Sequence, residues 1–174
     1  MPFTIISWIF GLGAMISLFM IYQQKDRKKL LLCKLSADVC WVFHYLCLSA
    51  PGGAVPNFVG IFREMVFIKR EDKKWANFCF WPFVFIGINF AIGLLTMNSL
   101  RDLIPIAASV FVTLSLWFKN PTLTKIVSIP VSAAFLIYDV LVGSYVGIIN
   151  ESIAICSIII SFIKNSVTYI KLRG

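Results

Sequence analysis

The feature that most constrains this chain is a series of apolar segments separated only by short polar intervals. A helix needs roughly 20 apolar residues to cross the hydrocarbon core of a bilayer. Seven helices of that size would use nearly all of the 174 residues, so we expect an all-α polytopic membrane protein with seven transmembrane helices. The predicted segments lie at about 3–22, 30–50, 54–69, 75–97, 103–118, 123–142 and 145–163.

Composition supports this fold class. Only 14% of the residues are charged and the mean hydropathy is +0.87, whereas ordinary soluble domains carry about 25% charged residues. Because the apolar segments leave no space for a soluble domain, we expect residues 1–174 to form a single membrane domain. Any functional site must then lie among the helices or on the short loops between them.

Lysine and arginine residues are concentrated in alternate loops. The loops near 23–29, 69–74 and 116–125 and the tail after residue 163 are basic, whereas the other loops contain only Arg101. Loops rich in Lys and Arg usually face the cytoplasm. The alternation therefore predicts an odd number of spans, with the N-terminus outside and the C-terminus in the cytoplasm. Topology and contact with anionic lipid also explain the net charge of +8 without nucleic acid.

The second half of the chain resembles the first after a shift of 93 residues, which brings Tyr45 onto Tyr138 and Asn57 onto Asn150. The order of the spans, the loop lengths and the loop charges agree as well. The sequence therefore predicts two parallel three-helix repeats joined by one linker helix. Repeats of this kind often place a substrate site at their interface, near the bilayer midplane. The first unit, the linker and the second unit are predicted at 1–70, 71–100 and 101–174.

This 3+1+3 layout resembles that of the SWEET sugar transporters and the wider PQ-loop class. In those transporters, each three-helix unit contributes a Trp and an Asn to a central pocket. Trp41 and Asn57 resemble that pair in the first unit, and Asn150 resembles the Asn of the second unit. Ala134 stands where the second Trp would lie, and the sequence contains no Pro-Gln motif. The resemblance thus implies a transporter architecture without implying a sugar as the substrate.

The chain also resembles the YgjV-type bacterial inner-membrane proteins, whose length and layout match it almost end to end. Two stretches carry this resemblance, WVFHY at 41–45 and IYDVLVGSY at 137–145. It implies a multi-pass protein of the bacterial inner (plasma) membrane, and it supplies no activity.

Polar side chains within a bilayer are costly, so each one needs a structural or functional reason. We predict that a central substrate site is lined by Trp41, Tyr45, Asn57, Tyr138 and Asn150. There an aromatic ring would stack on a flat or sugar-like solute, and the amides would hydrogen-bond it. In the alternative interpretation, the asparagines join helices at about 0.6 kcal/mol for each hydrogen bond, and the tyrosines anchor helix ends at the membrane surface.

Three titratable residues are candidates for proton coupling: His44, Asp139 and Glu151. An imidazole titrates near neutral pH, and two neighbouring carboxyl groups disfavour each other's charged form. The structural alternative is that His44 makes fixed hydrogen bonds and that both acids reach the headgroup water outside.

Two ion pairs are also predicted between the second and third spans. Asp38 and Arg63 lie near the middle of neighbouring helices, and Glu64 could pair with Lys34. Such pairing would lower the cost of placing charge within the membrane.

The sequence contains no G-x-S-x-G, H-E-x-x-H, P-loop or C-x-x-C pattern. We therefore predict that the protein is not an enzyme and needs no metal or organic cofactor. The expected partners are the lipid bilayer and an unknown small solute, with a homo-oligomer possible and nucleic acid not expected. The leading hypothesis is a small-solute transporter with its site between the two repeats. The alternative is a non-transporting structural or regulatory membrane protein.

Overall fold

The computed structural model describes residues 2–23, 27–118 and 121–171. Within these residues the fold is all-α, with seven α-helices, two short 3-10 turns and no strands. The α-helices are α1 (Pro2–Gln23), α2 (Arg27–Cys47), α3 (Pro51–Lys69), α4 (Trp81–Thr96), α5 (Leu103–Trp117), α6 (Pro121–Val142) and α7 (Tyr145–Lys171).

Large apolar side chains lie on the outside of every helix, while many polar ones are buried. This distribution is the reverse of that in a water-soluble protein, where large exposed apolar surfaces are rare. Lipid solvates such a surface, and the polar groups then find partners inside the bundle. One exposed example from each helix is Ile9, Leu46, Phe62, Phe83, Phe111, Ile137 and Ile153.

Two of the described helices are both long enough and apolar enough to cross a membrane by composition alone, at Lys28–Cys47 and Leu100–Trp117. Four more apolar helical stretches are shorter, with 10–17 residues each. The helix α3 is in neither group, and it carries the buried charges of Arg63 and Glu64. Its length is nevertheless 19 residues, which is sufficient for a spanning helix.

The seven predicted segments are confirmed as helices, including the short third and fifth segments. The largest difference at a start is in α4, which was expected from about residue 75 and begins at Trp81. A separate 3-10 turn at Lys74–Asn77 precedes it. A proline disfavours the helical conformation in the residue before it but is well accommodated in the first turn of a helix, so α4 starts next to Pro82.

Each middle helix of a consecutive triplet packs against its two neighbours. Thus α2 lies against α1 and α3, and α6 lies against α5 and α7. The helix α4 contacts α3 and α5. Direct contacts between α1 and α7, and between α3 and α5, join the two halves of the chain.

The bundle has two ends that we name by their contacts. At the His44 end, His44 near the end of α2 hydrogen-bonds Ser144 in the turn after α6. At the Arg70 end, the Arg70 guanidinium donates to the carbonyl oxygen of Trp117 and stacks on its indole ring. Lys28 and Asp72 form an exposed ion pair near that end.

Aromatic rings fill the interior between α2 and α6. Trp41 stacks on Tyr45 with ring centroids 5.6 Å apart, and Tyr45 contacts Tyr138 at 6.1 Å. Alanines from α1, α2 and α3 surround these rings within the same buried cluster. Small residues allow helices to approach closely where no hydrophobic effect drives their association, so this cluster fixes the spacing of the central helices.

Candidate functional site

His44 lies within the bundle and hydrogen-bonds two other helical regions. Its Nδ1 lies 2.8 Å from the carbonyl oxygen of Ser7 in α1. A carbonyl oxygen can only accept, so Nδ1 carries the proton in the neutral ring. Its Nε2 then accepts from the Ser144 hydroxyl at 2.8 Å, in the turn between α6 and α7. His44 therefore ties α1 and α2 to this turn.

Tyr45 forms a second link to α6. Its hydroxyl donates to Oδ1 of Asp139 at 2.8 Å, and both side chains are buried. The absence of a side chain at Gly147 makes this position possible, because a Cβ there would overlap both the Asp139 carboxyl and the Ser144 hydroxyl. Oδ2 of Asp139 has no hydrogen-bond partner among the described residues.

Tyr138 forms a third link, with α3 and with the start of α5. Its hydroxyl accepts from the backbone N–H of Gly53 at 3.1 Å and donates to Oδ1 of Asp102 at 2.9 Å. The other oxygen of Asp102 accepts from the backbone N–H groups of Asn98 and Ser99. The Tyr138 ring has no exposed surface, so it does not act as a tyrosine anchor at the membrane surface.

A cavity of about 170 Å³ opens beside His44, between α1 and the α6–α7 turn. Its lining includes the polar residues Ser7, His44 and Ser144. It also includes Trp8 and Tyr145, whose ring centroids are 6.5 Å apart. A second cavity of about 330 Å³ lies between α5 and α6 and is lined almost entirely by apolar side chains.

The structure brings together three of the five predicted substrate-binding residues, Trp41, Tyr45 and Tyr138, in one aromatic cluster. The two asparagines have local partners instead. The Asn57 amide donates to the Gly53 carbonyl one turn earlier in α3, at 2.7 Å. The Asn150 amide donates to the Glu151 carboxylate at 2.9 Å. None of these five residues lines either cavity described above.

The three predicted proton-coupling residues lie in one region. His44 and Asp139 both approach Ser144, and Asp139 interacts electrostatically with Glu151. Glu151 also interacts electrostatically with Lys34 of α2, a base that lies far from it in the sequence. Glu151 therefore lies between the polar groups of the His44 end and those nearer the Arg70 end.

Nearer the Arg70 end, four charged side chains meet between α2 and α3. The predicted proximity of Asp38 and Arg63 is confirmed, at 4.0 Å. The predicted Lys34–Glu64 pair is wrong, because Lys34 binds Oδ1 of Asp38 at 2.6 Å and Glu64 binds Arg63 at 3.0 Å. The spacing of Lys34 and Asp38 on one helix favours their pairing over a pair between helices.

Sequence reasoning missed Ser7, Asp102, Ser144 and Gly147. For Asp102 a local signal existed, because Ser99 and Asp102 form a capping box at a helical start. Its second role, accepting from Tyr138, depends on the packing of α6 against the start of α5. For Ser7, Ser144 and Gly147 no local pattern indicates their contacts.

Together these features define a helical membrane protein whose buried polar groups link its N-terminal and C-terminal halves. The sequence model of a family described as bacterial inner membrane protein, Imp-YgjV, matches residues 5–168, and the chain belongs to this family. This agrees with the inner-membrane location that the sequence predicted. No curated protein and no solved structure matches the chain significantly.

Proposed function

We propose that this protein is a small-solute transporter that works by alternating access between two three-helix units, α1–α3 and α5–α7, with α4 as the linker. The observation that carries the proposal is the nature of the contacts between the units at the His44 end. Beside ring packing, they include three single hydrogen bonds, His44 to Ser144, Tyr45 to Asp139 and Gly53 to Tyr138. Such bonds can be exchanged for bonds to water or solute, whereas a continuous apolar interface cannot.

The pattern of helix contacts supports two equivalent units. Exchanging α1 with α5, α2 with α6 and α3 with α7 turns the α1–α7 contact into the α3–α5 contact. The contacts of α2 with its neighbours become those of α6 with its neighbours. This agrees with the repeat that the sequence shift predicts, and transporters built from parallel repeats bind substrate between them.

The cavity beside His44 is the proposed entry site. It lies between the units. Two titratable side chains are on its wall, the imidazole of His44 and the phenol of Tyr145. Its volume corresponds to about five or six water molecules. We therefore propose a small, neutral, polar solute, which Ser7, His44 and Ser144 would hydrogen-bond and Trp8 would contact with its ring.

We further propose that the solute passes towards Trp41, Tyr45, Asn57, Tyr138 and Asn150 when the units separate. His44, Asp139 and Glu151 are proposed to carry a coupling proton. The electrostatic interaction between Asp139 and Glu151 supports this role, because two nearby buried carboxyl groups favour one bound proton. The transport role implies neither an enzyme activity nor a resident cofactor.

The test uses the purified protein in liposomes, with glucose, glycerol and urea as neutral probes and acetate as an anionic probe. We expect uptake of at least one neutral probe and no uptake of acetate. In the Asp139→Asn variant, uptake driven by a proton gradient should fall at least tenfold. The matched control is Asp72→Asn, at an exposed position outside the helices, which should retain wild-type uptake.

The thermal unfolding midpoint is measured alongside the uptake of each probe, so that the outcomes can be distinguished. If none of the probes is taken up or shifts the thermal unfolding midpoint, and a wider screen of neutral solutes gives the same result, the transport proposal is wrong. If uptake occurs and Asp139→Asn leaves it unchanged under a proton gradient, transport stands and the coupling role of Asp139 is wrong.

A second candidate is a non-transporting structural or regulatory membrane protein that forms a homo-oligomer or binds another protein. The observation that favours it is the filled centre of the bundle, where Trp41, Tyr45 and Tyr138 pack against one another. Crosslinking in whole cells tests this alternative. A stable protein partner, together with no solute binding by the purified protein, would support it over transport.

A further inference from the structure

We propose that the buried carboxyl groups of Asp38 and Glu64 form a proton-binding site that holds one proton at neutral pH. This site lies between α2 and α3 and is separate from His44 and Asp139 at the other end of the bundle. As a proton store in a transport cycle it rests on the proposed function, but proton binding itself can be measured without any solute.

Both carboxyl groups lie within 4.0 Å of one guanidinium nitrogen. Nη2 of Arg63 is 3.0 Å from Oε1 of Glu64 and 4.0 Å from Oδ2 of Asp38. Asp38 is 1% exposed and Glu64 is 0% exposed. Gly60 makes room for this arrangement, because a Cβ at that position would lie 2.5 Å from Oδ2 of Asp38.

One oxygen of each carboxyl group has no hydrogen-bond partner among the described residues. These atoms are Oδ2 of Asp38 and Oε2 of Glu64. A buried acceptor without a donor costs about 1–3 kcal/mol, and more when the group is charged. Both carboxyl groups of this pair therefore have an acceptor that needs a donor, and a bound proton removes the charge from one of them.

The charges that face the pair leave one negative charge uncompensated. The helix α2 contributes Lys34 and Asp38, α3 contributes Arg63 and Glu64, and α7 contributes Glu151, which interacts with Lys34. The described parts of α1, α4 and α5 contain no charged residue that faces the pair, and α5 supplies only the Thr113 hydroxyl, which accepts from Arg63 at 2.9 Å.

Lys34 and Arg63 are therefore shared among three carboxyl groups, because Lys34 interacts with Glu151 as well as with Asp38, in a region where an unpaired charge is expensive. One proton makes the set neutral. The carboxylate of Glu151 already accepts from the Asn150 amide at 2.9 Å, whereas Asp38 and Glu64 each retain an unpartnered oxygen. Because of this difference, we assign the proton to the Asp38–Glu64 pair.

Infrared spectroscopy of the full-length protein in lipid nanodiscs tests the assignment at neutral pH. A protonated carboxyl group has a C=O stretching band that is separate from the carboxylate bands. We expect that either Asp38→Asn or Glu64→Gln removes one acid band relative to the wild-type protein. The matched control Asp72→Asn changes an exposed, ion-paired carboxylate and should remove carboxylate absorption only.

The proposal is overturned if the wild-type protein has no acid band, or if both Asp38→Asn and Glu64→Gln lose only carboxylate absorption, as Asp72→Asn does. Should one variant not fold, ¹³C labelling of aspartate or of glutamate supplies the same readout. In that case the labelled protein carries Asp102→Asn, Asp139→Asn or Glu151→Gln as background changes that remove the other acids within the bundle. The proposal is overturned if no isotope-shifted acid band then remains.

These results also separate the two proposals. Loss of an acid band in Asp38→Asn or Glu64→Gln with no solute uptake by the wild-type protein would support the proton site and contradict transport. Solute uptake without any acid band assigned to this pair would support transport and contradict the proton site.

Discussion

Single buried residues carry most of the contacts between the two halves of the chain, and Tyr138 is the clearest case. Its hydroxyl accepts from Gly53 and donates to Asp102. Replacing Tyr138 with Phe removes both hydrogen bonds. The Gly53 N–H keeps its bond to the Ala50 carbonyl, but Oδ1 of the buried Asp102 loses its donor. We expect the free energy of unfolding to fall by about 1–3 kcal/mol, which is the cost of a buried polar group without its partner. A lower thermal unfolding midpoint measures this loss.

The control for this prediction is Tyr145→Phe, because Tyr145 is 65% exposed. That variant should unfold within about 0.5 kcal/mol of the wild-type protein, as surface substitutions usually do. Equal midpoints for Tyr138→Phe and Tyr145→Phe would contradict the role given to the Tyr138 hydroxyl.

Gly147 is required for a close approach at the same end of the bundle. A methyl group in Gly147→Ala would overlap the Asp139 carboxyl and the Ser144 hydroxyl. We expect Asp139 to be displaced from Tyr45 and the protein to lose about 1–3 kcal/mol of stability, as in other overpacked interiors. Thermal unfolding in detergent measures this loss.

A second glycine substitution serves as the reference for Gly147→Ala. A Cβ at Gly87, within α4, would meet no atom within 4 Å. Gly87→Ala should therefore raise the stability by about 0.5–1 kcal/mol, because alanine has the higher helix propensity. If Gly147→Ala is as stable as Gly87→Ala, the close contact with Asp139 is not maintained in solution.

At the scale of helices, the turn after α2 ends that helix earlier than the hydropathy pattern predicts. Apolar residues continue to about residue 50, but the helix ends at Cys47. Ser49 has a φ of 53°, in the left-handed region, and the turn after α6 uses Gly143 with a φ of 73°. A left-handed residue ends a helix and reverses the chain after it.

This geometry predicts opposite effects for two substitutions at Ser49. Ser49→Gly should raise stability by about 0.5–1 kcal/mol, because glycine adopts a positive φ without strain. Ser49→Val should lower it, since a β-branched side chain is strained in that conformation. The thermal unfolding midpoints of the two variants should bracket that of the wild-type protein, and the reverse order would contradict the turn.

For the molecule as a whole, the alternation of basic loops predicts that the Arg70 end faces the cytoplasm. The exposed Lys28–Asp72 pair and the Arg70–Trp117 contact both lie at that end. A C-terminal fusion to green fluorescent protein should therefore fluoresce in cells, whereas a fusion to alkaline phosphatase should be inactive. An active phosphatase fusion with a dark fluorescent fusion would reverse the proposed orientation.

The seven helices could be predicted from the sequence because an apolar segment of sufficient length is stable in lipid only as a helix. This requirement applies to each apolar segment independently, so a helix can be predicted without knowing which other helices it packs against. The same local reasoning fails at α4, where the apolar pattern begins before the helix does. There Lys74–Asn77 form a separate 3-10 turn, and α4 begins only at Trp81, directly before Pro82.

The candidate site was predictable only in part, for a physical reason. A polar residue in an apolar span indicates burial, and Trp41 and His44 are indeed buried in the bundle. For Tyr45, Tyr138 and Asp139 the sequence left a position at the membrane surface open, and the structure places all three inside. The identity of a partner depends on helix rotation and relative height, and neither is encoded in local periodicity. The sequence therefore could not indicate that Asn57 bonds within its own helix.

What the sequence by itself determined is the class of the protein: an all-α chain whose apolar length and low charge require a membrane. The free energy of transfer into lipid depends on the composition of each segment, and the contributions of the segments add along the chain. Only the tertiary structure decided which polar groups meet, as in the pairing of Lys34 with Asp38 instead of Glu64. Hydrogen bonds and ion pairs act over a few ångströms, so they depend on how the helices pack.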